Sequence, residues 1–198
     1  MNFEHFVQNA RRHPNALPSD QRRQLAAGQQ PAALFIGCSD SRIQPSRITG
    51  AEPGELFELR TAGNVVPKYA PDSASSEMAT IEYAVLVLGV PEIVVCGHSH
   101  CGAVTALNLA GRGLDQLPAM RTWLGTDGLT GPAEPPEAAV RAESKQHLRN
   151  QLATLHEYPF IRDRVESGAL RVHGWFYEID TGLVHTCPSD LNSDFLPL

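Results

Sequence analysis

The chain has 198 residues, of which 42% are hydrophobic and 19% charged, and its formal net charge is −6. This length is enough for one domain, predicted to span residues 1–198, with a core that needs no disulfide bridges. The acidic balance without a basic stripe argues against nucleic acid as the main partner, and no apolar run approaches the ~18 residues of a membrane span. Because the first residues lack the apolar stretch of a signal peptide, we expect a cytoplasmic protein whose four cysteines are reduced.

The amino-terminal residues 1–30 are predicted to form a helical arm. Its first helix ends near His13, and Ser19 and Asp20 are predicted to cap a second helix that ends near Gly28. The first helix has apolar side chains at helical spacing: Phe3, Phe6, Val7 and Ala10. Either the chain's own core or a second copy of the chain would cover them, and we expect the second copy.

Strands and helices alternate in the next part of the chain. A short apolar run at 32–36, bounded by Pro31 and Gly37, predicts a strand that is buried on both faces. The elements predicted after it are a strand at 55–59, a helix at 75–88 and a strand at 93–96. This alternation predicts an α/β fold, a single domain with a central, mostly parallel sheet flanked by helices.

The second half of the chain begins with an irregular segment. Residues 111–136 are rich in glycine and proline and are predicted to form a surface excursion with a short helix around Trp123. The elements predicted after it are helices at 138–155 and 160–166, a strand at 170–179, a turn at 180–182 and a strand at 183–185. The last three together predict a hairpin.

Two segments share one design, in which an apolar strand is followed by glycine and then by a side chain that can bind a metal. Cys38 follows Gly37 after the first strand, and His98 follows Gly97 after the third, with Cys101 in the next turn. The carboxyl ends of neighbouring parallel strands form the crevice where ligands bind, so Cys38, His98 and Cys101 are predicted to converge there. Two thiolates and one imidazole suit zinc, and three protein ligands leave a fourth position open, as in catalytic zinc sites.

The residues around these candidate ligands resemble the two signature segments of the β-class carbonic anhydrases. The first reads Cys-Ser-Asp-Ser-Arg at 38–42, and the second reads His-Ser-His-Cys-Gly-Ala at 98–103. Further similarity lies at 52–57, 62–67, 81–85 and 173–177. The resemblance implies a zinc enzyme that converts carbon dioxide and water reversibly to bicarbonate and a proton. It also implies homodimers, often paired into tetramers.

Roles for residues around the metal also follow from the resemblance. Asp40 would accept a hydrogen bond from a zinc-bound hydroxide or bind zinc itself as an exchangeable fourth ligand. Arg42 would hold Asp40 off the metal by bidentate pairing. Residues that match the family's substrate pocket are Gln29, Phe57, Tyr83 and Gly102. Family pockets of this kind form at the dimer boundary, where we expect the amino-terminal arm to lie.

Three positions near the candidate site raise separate questions. Family members commonly have Arg-Asn-x-x-Asn where this chain has threonine at position 61, so a polar contact is expected to differ. His100 is expected to face solvent as a spacer, with a proton relay as the alternative. Cys96 can reach the same face, but three ligands are supplied without it.

Other functions are compatible with parts of the pattern. A structural zinc module or bicarbonate-binding module, in which Asp40 permanently fills the fourth position, would bind its ligand without turnover. Hydrolysis of carbon disulfide or carbonyl sulfide would use the same scaffold. A thiol nucleophile at Cys38 is disfavoured, because the Cys-x5-Arg loop of phosphatases is missing and Arg42 comes too soon.

Overall fold

In the computed structural model, which describes residues 2–111, 113–126, 137–190 and 193–198, the strands join in a single sheet. The strands are Ala33–Cys38 (β1), Leu56–Thr61 (β2), Glu92–His98 (β3), Arg171–Tyr177 (β4), Val184–Cys187 (β5) and Leu196–Pro197 (β6). Their order across the sheet is β2-β1-β3-β4-β5-β6. The first four pair in parallel, and β5 and β6 are added antiparallel. The predicted α/β fold with a mostly parallel sheet is confirmed.

Two helices precede the first strand, and the other helices lie between strands. The helices are Phe3–Arg12 (α1), Ser19–Ala26 (α2), Pro45–Thr49 (α3), Ser76–Glu82 (α4), Gly102–Asn108 (α5), Pro118–Leu124 (α6), Glu137–His156 (α7) and Pro159–Glu166 (α8). The helix predicted around Trp123 is confirmed as α6, while residues 112 and 127–136 of the predicted excursion lie outside the described residues. The elements α3 and β6 were not predicted, because each is too short to show a hydrophobic period. None of the described helices is long and apolar enough to cross a membrane.

The predicted helix after Ser75 is present, but its second half has a wider turn. The Ser75 hydroxyl caps the helix by accepting a hydrogen bond from the Met78 N–H at 3.3 Å. Beyond α4, residues Tyr83–Val87 continue as a π-helical turn, a feature that is frequent at functional sites. Tyr83 and Val87 are 45% and 65% exposed, so this turn presents apolar groups at the surface.

The amino-terminal arm has its two predicted helices, and neither α1 nor α2 contains a buried residue. Ser19, predicted as a cap, is instead the first helical residue of α2. Pro18 occupies the cap position, where its fixed φ leads the chain into the helix without a side-chain hydrogen bond. Phe3 and Phe6 are 78% and 59% exposed, so the chain's own core does not cover the apolar stripe of α1.

The main core lies between one face of the sheet and the helices α4, α7 and α8. Its fully buried members include Leu34, Ile36, Ile93, Val95 and Phe176 from strands, and Ile81, Leu148, Leu155 and Ile161 from helices. Strand β1 is buried along its whole length, as its apolar run predicted. This burial fixes β1 and β3 at the centre of the sheet, and their carboxyl ends are therefore rigid points from which side chains can be positioned.

A charged cluster ties β3 to β4 at the edge of the sheet where these strands begin. The Glu92 carboxylate accepts hydrogen bonds from Arg171 Nε at 3.1 Å and from His173 Nε2 at 2.7 Å. Burial raises the pKa of Glu92, but the hydrogen bonds from His173 and Arg171 outweigh it and leave the pKa below its ordinary value. The ionised carboxylate is therefore stabilised by folding.

We expect Glu92→Gln to lower the free energy of unfolding by roughly 1 kcal/mol near pH 7, since solvent screens these partly exposed partners. Because the folded pKa is depressed, the carboxylate's contribution is complete above the ordinary value of 4.5 and is lost as the pH falls through the lower folded value. Urea unfolding of both proteins near pH 7 and near pH 3 measures this difference. If Glu92→Gln lowered the free energy of unfolding by the same amount at both pH values, the expectation would be contradicted.

Candidate metal centre

Strands β1 and β3 end side by side and bring two candidate ligands to the same edge of the sheet. Gly37 of β1 pairs with Cys96 of β3, so Cys38 and His98 follow at neighbouring positions. The chain then turns through His100, whose backbone is left-handed with a φ of +56°. This turn places Cys101 at the start of α5, beside the strand ends.

The three predicted ligands converge. One potential ligand atom from each of Cys38, His98 and Cys101 lies within 4.8 Å of the other two. The three residues are 5%, 1% and 1% exposed. Among the residues that the structure describes, no other group of three or more cysteine, histidine or acidic side chains is arranged this closely.

Hydrogen bonding leaves His98 ready to bind a metal through Nε2. Its Nδ1–H donates to the Ser99 carbonyl at 2.8 Å, which places the lone pair on Nε2. In the described part of the chain Nε2 is buried and has no hydrogen-bond partner. Such a group costs about 1–3 kcal/mol when it is left unsatisfied. A metal at Nε2 would remove this cost, and the two sulfurs with one nitrogen fit zinc with one open position.

The two ligand thiols interact directly. A hydrogen bond from the Cys101 thiol lowers the pKa of Cys38 against the opposing effect of burial, and the same contact together with burial raises the pKa of Cys101. The Asp40 N–H also donates to Cys38 Sγ at 3.4 Å. Two sulfurs that share one proton become two thiolates when a divalent cation replaces that proton, so the pair favours metal binding.

Arg42 holds the Asp40 carboxylate from two sides. Asp40 Oδ1 accepts from the Arg42 backbone N–H and Nε, both at 2.9 Å, and Oδ2 accepts from Nη2 at 2.7 Å. Nη2 also donates to the His100 carbonyl at 3.0 Å, which ties the pair to the segment between the other two ligands. The hydrogen bonds from Arg42 keep the pKa of Asp40 well below its usual range. The carboxylate is therefore ionised at neutral pH, and it lies outside the group of three ligands.

Arg60 braces the backbone that carries Cys38 and Asp40, a role that was not predicted from sequence. Its Nη2 donates to the carbonyls of Cys38 and Asp40 at 2.8 Å and of Ile43 at 2.7 Å, and its Nε donates to Cys38 at 3.1 Å. Arg60 pairs with Gly37 across β2 and β1. The position of Arg60 beside Cys38 depends on which residues of β1 and β2 pair, and no local sequence motif predicts that pairing.

Three of the predicted pocket residues lie far from the metal ligands of their own chain. Phe57 pairs with Leu34, which precedes Cys38 by four residues on β1, or about 13 Å along the strand. The Tyr83 ring packs on Phe57 at 6.0 Å between centroids. Gln29 is exposed in the loop before β1. These three residues therefore lie near the start of β1, whereas the ligands lie at the other end of the sheet, where β1 and β3 end.

Gly102 and His100, in contrast, lie next to the ligands. Gly102 is the first residue of α5 and directly follows Cys101. The His100 side chain is 37% exposed, with Nε2 at 3.6 Å from Glu137 and 3.8 Å from Asp180. His100 therefore lies among acidic groups at the rim of the centre.

Cys96 and Thr61 have structural contacts. Cys96 is fully buried in a small apolar cluster with Phe35 and Val94, and burial raises its pKa to about 12. The Thr61 hydroxyl donates to the Val65 carbonyl at 3.1 Å, within the turn that follows β2. The threonine that differs from the family pattern at position 61 therefore makes a hydrogen bond within this turn.

Two sulfur atoms and one nitrogen atom at the carboxyl ends of parallel strands match the ligand set of catalytic zinc sites, which keep a fourth position open, and so point to the class of zinc enzymes. The family described as carbonic anhydrase matches residues 33–184. The chain is 44% identical over 168 residues to a carbonic anhydrase of Pseudomonas aeruginosa, covering 82% of this chain and 76% of that protein.

Solved structures agree with this match. The β-carbonic anhydrase CcaA superposes with a TM-score of 0.88 at 33% identity, covering 98% of both chains. One of two tetrameric β-carbonic anhydrases from Sordaria macrospora superposes with a TM-score of 0.70 at 28% identity, covering 94% of this chain and 97% of that one. The chain belongs to the carbonic anhydrase family, in its β class. It is a lyase that catalyses the reversible, zinc-dependent hydration of carbon dioxide to bicarbonate and a proton.

Proposed function

We propose that Cys38, His98 and Cys101 hold the zinc ion at which this chain hydrates carbon dioxide. The observation that carries the assignment is the buried Nε2 of His98, which lacks a hydrogen-bond partner among the described residues and lies beside two thiols. When bound, zinc supplies the Lewis acidity that makes water a nucleophile near neutral pH. The protein contributes a buried ligand set that leaves one position open for this chemistry.

The ionised Asp40 is proposed to orient the reacting water. A carboxylate only accepts hydrogen bonds, so it directs an O–H of the water toward itself and leaves a lone pair free to meet carbon dioxide. Arg42 fixes Asp40 by two parallel side-chain hydrogen bonds, a geometry that a lysine would not reproduce. The same bonds keep the carboxylate from filling the open ligand position. Gly102, the first residue of α5, is proposed to border that position.

A second copy of the chain is proposed to complete the substrate pocket. Gln29, Phe57 and Tyr83 lie away from the metal ligands of their own chain, and the Tyr83 side chain is 45% exposed. A homodimer would place these residues of one chain at the metal of its partner, with the arm at 1–30 covering the boundary. The tetrameric assembly of the Sordaria relatives supports association of this kind, as dimers or as pairs of dimers.

Mixing two inactive variants tests the shared pocket. Cys101→Ser removes a metal ligand, and Gln29→Ala removes a pocket donor. In a mixed dimer, the Gln29→Ala chain keeps its own ligands and receives an intact Gln29 from the Cys101→Ser chain. After joint refolding we expect stopped-flow assays to find about a quarter of the wild-type rate, since half of the dimers are mixed and each has one complete site.

A matched mixture separates this result from other effects of mixing. Arg42 acts on Asp40 of its own chain, so Cys101→Ser mixed with Arg42→Ala should recover no activity. Recovery with Gln29→Ala but not with Arg42→Ala supports a pocket shared between copies. No recovery in either mixture would contradict it.

A cytoplasmic location is also proposed for the single domain at 1–198. The four cysteines are all unpaired, which suits a reducing compartment. Reduced thiols are a requirement of the proposed centre, because Cys38 and Cys101 bind zinc only as thiolates. The location is checked by immunodetection in fractionated cells, with the enzyme expected in the cytoplasmic fraction.

A further inference from the structure

The short turn Ala62–Asn64, which follows β2, places a buried residue other than glycine in the left-handed backbone region. Gly63 and Asn64 have φ angles of +75° and +49°, in the left-handed region that favours glycine. Asn64 is 1% exposed, and among the described residues its Nδ2 has no hydrogen-bond partner. Surrounding groups must therefore hold this turn in place.

Helix α7 provides two of these groups. His147 Nε2–H donates to the Gly63 carbonyl at 2.8 Å, and one helical turn later Gln151 Oε1 accepts from the Val66 N–H at 2.8 Å. Both side chains are buried, with exposures of 6% and 8%. Burial lowers the pKa of His147, so its ring is a neutral donor with the proton on Nε2.

Gly63 contacts both segments that carry the sulfur ligands. A Cβ atom at Gly63 would lie 2.8 Å from the Cβ of Ala103, which follows Cys101 by two residues. The same turn also packs against β1, the strand that ends at Cys38, and the Gly63 backbone contributes to the lowered pKa of the Cys38 thiol. The space between the two segments is therefore filled by the Gly63 backbone, and a displacement of Gly63 would alter both.

We propose that His147 is a positioning residue of the metal centre. By holding the Gly63 carbonyl, it fixes the turn between Cys38 and Ala103 and sets the distance at which the two sulfur ligands meet the metal. The inference rests on the ligand set proposed above. It assigns to α7 a role in metal retention in addition to its packing against the sheet.

The release of zinc to a chromogenic chelator tests the proposal on the holoenzyme. We expect His147→Asn, whose amide is too short to reach the Gly63 carbonyl, to release zinc about 10-fold faster, the lower end of what loss of an outer hydrogen-bond partner costs in metal sites. His147→Gln places an amide N–H near the position of Nε2, so we expect release within about 3-fold of wild type. After cobalt substitution, His147→Asn should also shift the thiolate-to-cobalt absorption band, which measures the sulfur–metal geometry directly.

Gln151→Met is the matched control for a general loss of stability. It removes the other hydrogen bond from α7 to the same loop, one turn farther along and away from Cys38. We expect it to lower Tm about as much as His147→Asn but to leave zinc release and the cobalt spectrum unchanged. Where His147→Asn fails to fold, His147→Met, which fills a similar volume but has no hydrogen-bond donor, takes its place and is compared with Gln151→Met.

Two results would overturn the proposal. One is zinc release and a cobalt spectrum at wild-type values in His147→Asn. The other is a change of zinc release and of the cobalt spectrum in Gln151→Met that equals the change in His147→Asn. A wild-type chain that binds no zinc would instead refute the ligand set, so the two failures are distinguishable.

Discussion

Replacing Cys101 with serine is expected to remove tightly bound zinc and to lower kcat/KM for carbon dioxide hydration by more than about 100-fold, the upper limit for losing an outer partner of a ligand. A serine hydroxyl stays protonated at neutral pH and binds zinc poorly, whereas a thiolate is ionised and softer. Cys101 is 1% exposed, so water does not readily take its place. Elemental analysis of dialysed protein and stopped-flow hydration assays measure the two effects.

Cys96→Ala is the control for loss of a buried thiol near the centre. Cys96 precedes His98 on β3 but packs among apolar side chains and is outside the ligand group. We expect this variant to keep its zinc and its turnover while losing some thermal stability through the small cavity it creates. A Cys101→Ser enzyme with normal zinc content and normal rate would refute the ligand set.

Arg42→Ala is expected to retain zinc and to lower kcat/KM about 10- to 100-fold near neutral pH. Without the guanidinium, Asp40 loses its two side-chain hydrogen bonds and is free to move toward the open ligand position. The pKa of Asp40 would rise toward its ordinary value, because the pairing that lowers it is removed. Rate measurements across a pH series should show the loss shrinking at alkaline pH, where hydroxide competes better with the carboxylate.

Arg47→Ala provides the comparison for removing a nearby positive charge. Arg47 lies on α3, is exposed, and is not among the groups that lower the pKa of Asp40. Its replacement should leave both zinc content and the pH profile unchanged. Wild-type turnover in Arg42→Ala would contradict the proposed role of the Asp40–Arg42 pair.

The convergence of the three ligands could be predicted because their positions follow from local patterns. The apolar runs before Gly37 and Gly97 predict central strands, and central parallel strands end at one edge of a sheet. The structure has both strands as neighbours, with Cys38 and His98 at their ends. The apolar runs alone were sufficient for this prediction, because it did not require knowing which residues of the two strands pair with each other.

Other contacts depend on distances between parts of the chain that no local pattern encodes. His147 reaches a carbonyl 84 residues away, and Arg60 reaches Cys38 across a strand register. The spacing of His147 and Gln151, one helical turn apart, suits a shared face of α7 but does not identify the turn they hold. The distance of Phe57 from the ligands likewise follows from pairing, and the pocket that it is proposed to form needs a second chain.

The most direct test removes zinc from the wild-type enzyme with a chelator and restores it in measured steps while carbon dioxide hydration is followed. Hydration should rise in proportion to bound zinc, saturate near one zinc per chain, and stay absent in Cys101→Ser at every zinc concentration. A wild-type chain that binds zinc in this ratio but shows no hydration at neutral or alkaline pH would contradict a catalytic centre at Cys38, His98 and Cys101.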